Sequence, residues 1–269
     1  MSAEGAPAPA LPEIRLEAGT RVIADLHLDL ADREGPRAFL RWIAGLTGTP
    51  RLVVLGDLFD VWIGPAQERL ASAPAVLDGL RELVAQGTEV DVVPGNRDFL
   101  LDGSFERRTG AHVRAEGLVG VLGDGPDAAR SLLIHGDELC TRDVGYQRLK
   151  RVLRSRPVTA LAPRLPLGVG SFLARRLRRS SARAVAVKPS ERKAMQETAC
   201  RALAATNRAV VVVCGHAHAF RDVLLAHGPR WIVLDAFGGG RDVLVVERSG
   251  ALRAIASSGR SGPPAGAFD

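Results

Sequence analysis

The chain has 269 residues, 46% of them hydrophobic and 25% charged, with a net charge of +6. That length buries one sizeable core and demands no second domain, while three cysteines without CxxC spacing argue against a disulfide framework or a thiolate metal site. No apolar run reaches the roughly 18 residues of a membrane-spanning helix, and Met1–Leu11 lacks the apolar stretch of a secretory signal, so a cytoplasmic protein is expected.

Residues 1–19, rich in Ala, Pro and Glu, read as a flexible tail ahead of a domain over 20–256. The first strand falls near Val22–Ala24 and delivers Asp25 and His27, which the alternation of an extended chain points to one side. A helix over about 36–46 follows, with Phe39, Leu40, Ile43 and Leu46 at helical spacing. Arg51-Leu-Val-Val-Leu-Gly-Asp57 is a short apolar run and a glycine turn ending on a carboxylate, the pattern of an inner strand of a parallel sheet. The stretch 58–64 is too rich in large apolar side chains for a plain linker and is expected to wall a pocket. A second helix is expected over 73–86, stopped by Gly87.

A strand at 90–93 leads into Pro94-Gly-Asn96-Arg97-Asp98 and a helix running to about Thr109. Two antiparallel strands are expected within 113–137 across the Gly123-Asp-Gly-Pro126 turn, the second ending on His135-Gly-Asp137. The strand rhythm then stops. Over 143–193, helices are expected at 146–153, 168–177 and 190–203, and from Arg142 to Lys193 fifteen Lys or Arg face only Asp143 and Glu191. Apolar Leu161, Leu165, Val169 and Phe172 lie among these arginines, a pairing suited to an anionic membrane surface. A plain helical insertion explains the apolar half but not the arginine excess. Nucleic acid is not the expected partner, because Tyr146 and Phe172 are too few aromatics for base stacking. Strands at 210–214, 231–234 and 243–247 complete the sheet, the first ending on Gly215-His216-Ala-His218, and 257–269 reads as a second tail. His112 and His227 are expected in surface loops.

Asp25, His27, Asp57, Asn96, His135, His216 and His218 thus follow five apolar runs, and ligands in open α/β sheets bind beyond the carboxyl ends of strands. Each signal is weak alone, but four of the six histidines fall at these ends. Imidazole and carboxylate without thiolate suit Mn²⁺, Fe²⁺ or Zn²⁺, with Mn²⁺ favoured. Seven ligands crowd one ion. Two ions ~3.5–4 Å apart sharing a carboxylate use them all and suit phosphoryl displacement.

The ordered motifs DxH, GD, GN, HGD and GHxH over roughly residues 20–250 resemble the calcineurin-like metallophosphoesterase family. The resemblance implies a four-layer αββα sandwich, an α/β fold with a dinuclear site at the strand ends. It further implies that Asp25, His27, Asp57 and His218 hold one metal, and Asp57, Asn96, His135 and His216 the other. The segments 56–64, 95–100 and 135–147 are similar to the subfamily that cleaves the pyrophosphate of UDP-2,3-diacylglucosamine to UMP and lipid X in lipid A synthesis. In that subfamily Arg97 stands where the wider family often has His, and a guanidinium grips phosphate rather than donating a proton. The similarity implies catalytic roles for Asn96 and Arg97, and a substrate pocket that includes these two with His216, Asp143 and Tyr146. Ser181 and Lys188 would be contacts from a helical lid, and the protein would sit peripherally on the cytoplasmic face of the inner membrane. The chain departs from the subfamily at Ala217, where Thr is usual, and at Ala219-Phe-Arg-Asp222, which lacks the common His-Arg-Pro. Two other readings stay open: a phosphoesterase acting on another nucleotide, nucleic acid or phosphodiester, and a non-catalytic binding protein of the same fold.

Overall fold

The computed structural model describes residues 10–125, 128–170, 172, 176 and 194–258. Two six-stranded sheets are built from β1 Glu13–Arg15, β2 Arg21–Ile23, β3 Arg51–Leu55, β4 Glu89–Val93, β5 His112–Val113, β6 Leu118–Leu122, β7 Ala129–Leu133, β8 Val211–Cys214, β9 Arg221–Leu224, β10 Arg230–Val233, β11 Val243–Val246 and β12 Leu252–Ile255. One sheet runs β1-β6-β7-β8-β10-β9, the other β12-β11-β2-β3-β4-β5. β2, β3 and β4 are mutually parallel, as are β7 and β8, so each sheet presents a row of carboxyl ends.

The apolar strands serve two cores at once because successive side chains leave opposite faces. On β3, Val53 and Leu55 join Val22, Leu133, Val213 and Ile232 between the sheets, while Leu52 and Val54 face outward. The outward set packs on helices α1 Arg37–Ala44, α2 Ala73–Ala85 and α3 Gly103–Thr109. Across the molecule Val212, Cys214 and Trp231 pack on Cys200 and Ala204 of the helix Glu197–Thr206. Four layers result, as expected.

Local chemistry sets the helix ends. The Asp102 carboxylate accepts the Ser104 N–H at 2.9 Å to start α3, and Gly110, at φ +79°, ends it in the left-handed conformation. α4 Val144–Leu153 starts in the same way, with the Asp143 carboxylate accepting the Tyr146 N–H at 3.0 Å. α5 Arg156–Leu161 follows it, and Glu197–Thr206 becomes α6.

Three expectations are corrected. The tail does not extend to residue 19: Glu13–Arg15 pairs in parallel with β6, and Ile14 and Leu16 are buried between the sheets. Alternation at Ile14 and Leu16 was visible but too short to stand out in an Ala/Pro-rich segment. The 58–64 stretch is core rather than pocket wall, with Leu58, Phe59 and Trp62 buried and Phe59 stacked on Trp62 at 5.0 Å. His112 lies on edge strand β5 instead of a loop, although it is exposed like His227. The expected 190–203 helix runs instead over Glu197–Thr206, with 194–196 outside it, and of the expected 168–177 helix the described half is helical while the other half lies outside the described residues. Cys140, Cys200 and Cys214 form no disulfide and are buried. Among the described residues no helix is long and apolar enough to cross a membrane.

Candidate metal centre

The carboxyl ends of β2, β3 and β4 in one sheet meet those of β7 and β8 in the other. Past β2 the chain stays tied to the β3 extension, with the Asp25 N–H donating to Gly56 O at 3.1 Å and the His27 N–H to Asp57 O at 2.8 Å. Asp25, His27, Asp57, His216 and His218 all have φ between 49° and 69°, the left-handed region that side chains other than glycine seldom adopt. Asp25 and His27 therefore converge, but not by the alternation of an extended strand. The surrounding sheet ends impose this strain, which clusters where function demands a fixed geometry.

Glycines make room for the convergence. A Cβ on Gly56 would lie 2.2 Å from His135 Nδ1, one on Gly95 2.2 Å from Asp57 Oδ1, and one on Gly215 2.3 Å from Asp25 Oδ2. Each glycine that precedes one candidate ligand thus leaves the space that a different ligand occupies. This gives the GD, GN and GH motifs a steric reason.

The polar atoms form two overlapping groups. Single ligand atoms of Asp25, His27 and His218 all lie within 4.8 Å of one another, and so do those of Asp25, Asp57 and His135. His27 Nε2 stands 3.0 Å from His218 Nε2, and His218 Nε2 3.4 Å from Asp25 Oδ1. His135 Nε2 is 3.9 Å from Asp57 Oδ1, 3.3 Å from Asn96 Oδ1 and 3.2 Å from His216 Nδ1. All seven sequence-predicted ligands are therefore gathered at one place.

Several of these atoms suit a cation better than one another. Asp25 Oδ1 and His27 Nδ1 are buried without hydrogen-bond partners. The Asn96 amide oxygen faces both Asp57 carboxylate oxygens. Either a cation among them or an amide flip, turning its nitrogen to 3.0 and 2.8 Å from those oxygens, relieves the repulsion. Orphaned acceptors at the end of such a cradle fit divalent metal.

The protonation pattern agrees. Burial and the Arg97 guanidinium hold His27 down at about 3, and burial with the neighbouring His135 holds His216 down at about 4, so both imidazoles offer free lone pairs at neutral pH. Burial pushes the Asp57 carboxyl up to about 7. Burial also disfavours a charged His135, but the carboxylates of Asp57, Asp25 and Asp137 outweigh it and raise this group to about 9. A metal binding here displaces the His135 proton, because a ligand must be deprotonated. Divalent metal affinity is therefore expected to rise between pH 7 and pH 9, by up to about tenfold per pH unit. Equilibrium dialysis at pH 7, 8 and 9 checks this, and equal affinities at the two extremes would contradict it.

Around the ligands, the Asp98 carboxylate accepts the Gly95 N–H at 2.7 Å and the Phe59 N–H at 3.3 Å, fixing the turn that carries Asn96. The Arg97 N–H donates to Asp57 Oδ1 at 3.0 Å, its Nε lies 3.4 Å from Asp57 Oδ2, and its Nη1 donates to Asp60 at 2.7 Å. Sequence reasoning missed Asp60, although its place at the end of Gly56-Asp-Leu-Phe-Asp60 was a signal. The Asp137 side chain pairs with Tyr146 and Lys150 of α4. Asp143 caps that helix, and Tyr146 reaches Asp137. Ser181 and Lys188 lie outside the described residues.

The Calcineurin-like phosphoesterase family model matches residues 20–220, and the chain belongs to that family. It is a metal-dependent hydrolase. The chain is 36% identical over 203 residues to a Stutzerimonas stutzeri protein named UDP-2,3-diacylglucosamine hydrolase, covering 73% of this chain and 80% of that one. A protein of the same name from Azotobacter vinelandii is 35% identical over 205 residues, covering 74% and 81%. A third, from Pseudomonas fluorescens, is 40% identical over 166 residues, covering 60% of this chain and 63% of that one.

Proposed function

We propose that the protein hydrolyses the pyrophosphate of UDP-2,3-diacylglucosamine, releasing UMP and lipid X, in lipid A biosynthesis. The observation that carries this reading is the gathering of seven N and O ligands at one cradle beside Arg97, in a chain whose relatives bear the name of that hydrolase. The ligand set would suit two Mn²⁺ ions, which Asp57 would help to hold. When bound, such ions supply positive charge for the phosphates and a water acidified enough to attack the α-phosphorus.

The protein's own groups do the rest. Asp25, His27 and His218 hold one side of the centre, Asn96, His135 and His216 the other, and Asp98 keeps the Asn96 turn in register. Arg97 is poised beside Asp57, where its guanidinium can grip a phosphate oxygen and neutralise developing charge. Asp60 restrains that guanidinium from its far side. The pyrophosphate would enter with its sugar toward Asp143 and Tyr146 and its acyl chains toward the insertion at about 143–193, to which Ser181 and Lys188 belong. Exposed Val152, Leu161 and Phe172 among the arginines favour a site at the cytoplasmic face of the inner membrane.

The purified protein incubated with the UDP-linked diacyl sugar and Mn²⁺ is expected to release UMP, followed by phosphorus NMR. Oxygen-18 from labelled water should appear in UMP. Label in lipid X would reverse the assignment of the attacked phosphorus, and no cleavage would remove the substrate reading.

A further inference from the structure

An amphipathic helix ordinarily buries its apolar stripe and turns its polar face to water. α4 does the reverse. None of its residues is fully buried, and Val144, Leu149 and Val152 are exposed. Its inner face is polar: Tyr146, Gln147 and Lys150 all reach the short turn Asp137–Leu139, which begins two residues after His135. Lys150 Nζ lies 2.9 Å from both Asp137 Oδ2 and Glu138 Oε1. Tyr146 donates to the same Asp137 oxygen, and Gln147 Nε2 donates to Asp137 O at 2.9 Å and Cys140 O at 3.3 Å. At the far end of the insertion, the Gln196 N–H donates to Leu139 O at 2.9 Å. Both ends of the basic insertion are thus tied to one turn next to a candidate metal ligand.

We infer that Lys150 is a positioning residue: by bridging Asp137 and Glu138 it clamps α4 onto the turn that follows His135, so that ionic contacts set the helix's attitude over the metal centre. Asp137 is fully buried and its Oδ1 has no hydrogen-bond partner, so Lys150 and Tyr146 are the compensation that α4 brings to the carboxylate. A buried charge that loses its partner is costly, whereas α4 has little apolar area that could hold it in place once the clamp opens. The helix would then swing or fray while both sheets and the metal ligands stay put. The functional half of this inference rests on the hydrolase reading above.

The test compares wild type with Lys150→Met and Lys150→Arg in the full chain. In Lys150→Met, amide hydrogen exchange across 144–153 is expected to quicken by roughly tenfold or more, with β3 and β8 unchanged, since hydrogen bonds to charged groups carry that much stability. Metal content should match wild type, KM for the UDP-linked diacyl sugar should rise by roughly tenfold, and kcat should stay within about twofold. Lys150→Arg should restore both readouts. Gln147→Leu, which leaves no buried charge unpaired, gives a second variant if Lys150→Met folds poorly, with faster exchange over the same residues. Wild-type exchange in α4 of either variant would overturn the clamp, and a loss of kcat or metal without a change in KM would overturn its positioning role. Failure of wild type to cleave the diacyl sugar would strike the substrate reading alone, because the exchange measurement needs no substrate.

Discussion

Asp57→Ala is expected to lose hydrolysis by on the order of 10³-fold or more, in kcat rather than KM, with little change of fold. Asp57 is the side chain on which the other groups converge. Its carboxylate lies 3.7 Å from His27 Nδ1, 3.9 Å from His135 Nε2 and 3.4 Å from Arg97 Nε, and it accepts the Arg97 N–H. An alanine removes oxygen atoms that lie near His27 on one side and His135 on the other, and the Arg97 backbone loses an acceptor. The fold should survive, because β3 is held by parallel pairing on both sides and by Val53, Val54 and Leu55, all buried. Metal analysis and circular dichroism separate the two effects. Bound metal is expected to fall below the wild-type content while the far-ultraviolet spectrum persists. Normal turnover by this variant would eliminate the two-metal proposal.

Gly95→Ala is expected to cost activity at least about a hundredfold, though Gly95 carries no side chain, because a 1 Å misplacement in a catalytic geometry has that effect. The added methyl carbon would stand 2.2 Å from Asp57 Oδ1 and 2.4 Å from Asp57 N, far inside contact distance, and Asp57 N is backbone. Something must shift, and what shifts is either the Asp57 carboxylate or the turn bearing Asn96 and Arg97. Overpacking of this kind typically also destabilises by about 1–3 kcal/mol. Measured together, metal content and thermal unfolding should both fall. Gly48→Ala is the control for adding a methyl group, since nothing lies within 4 Å of a Cβ there, although its φ of +73° also strains an alanine. A Gly95→Ala protein with wild-type metal content would mean that the crowding at this turn does not constrain the ligands.

The sites of failure in the sequence reading are physical. β1, β5, β9 and β12 are two to four residues long and lie toward the outer ends of the sheets, where exposed positions dilute the apolar signal. β9 is exposed at all four positions. The 58–64 stretch was correctly seen as too apolar for a linker, yet apolar content cannot tell a pocket wall from a core. Packing of Phe59, Trp62 and Phe105 decides it. The Asp137 pairing was hidden because its partner Lys150 sits in a stretch where basic residues are plentiful and no pattern singles one out.

What the chain order alone determined is the inventory: which strands are doubly buried, and that each of five apolar runs is followed by an N or O ligand. Those features are local, since a run of Val and Leu, a glycine and the next polar residue are read within a few positions. What only the tertiary structure decided is how these groups meet. The left-handed backbone at Asp25, His27, Asp57, His216 and His218, the glycine spaces filled by ligands from other strands, and the polar seating of α4 all arise between segments far apart in the chain. They depend on two sheets packed face to face with their carboxyl ends in register, a constraint that no short window of residues contains.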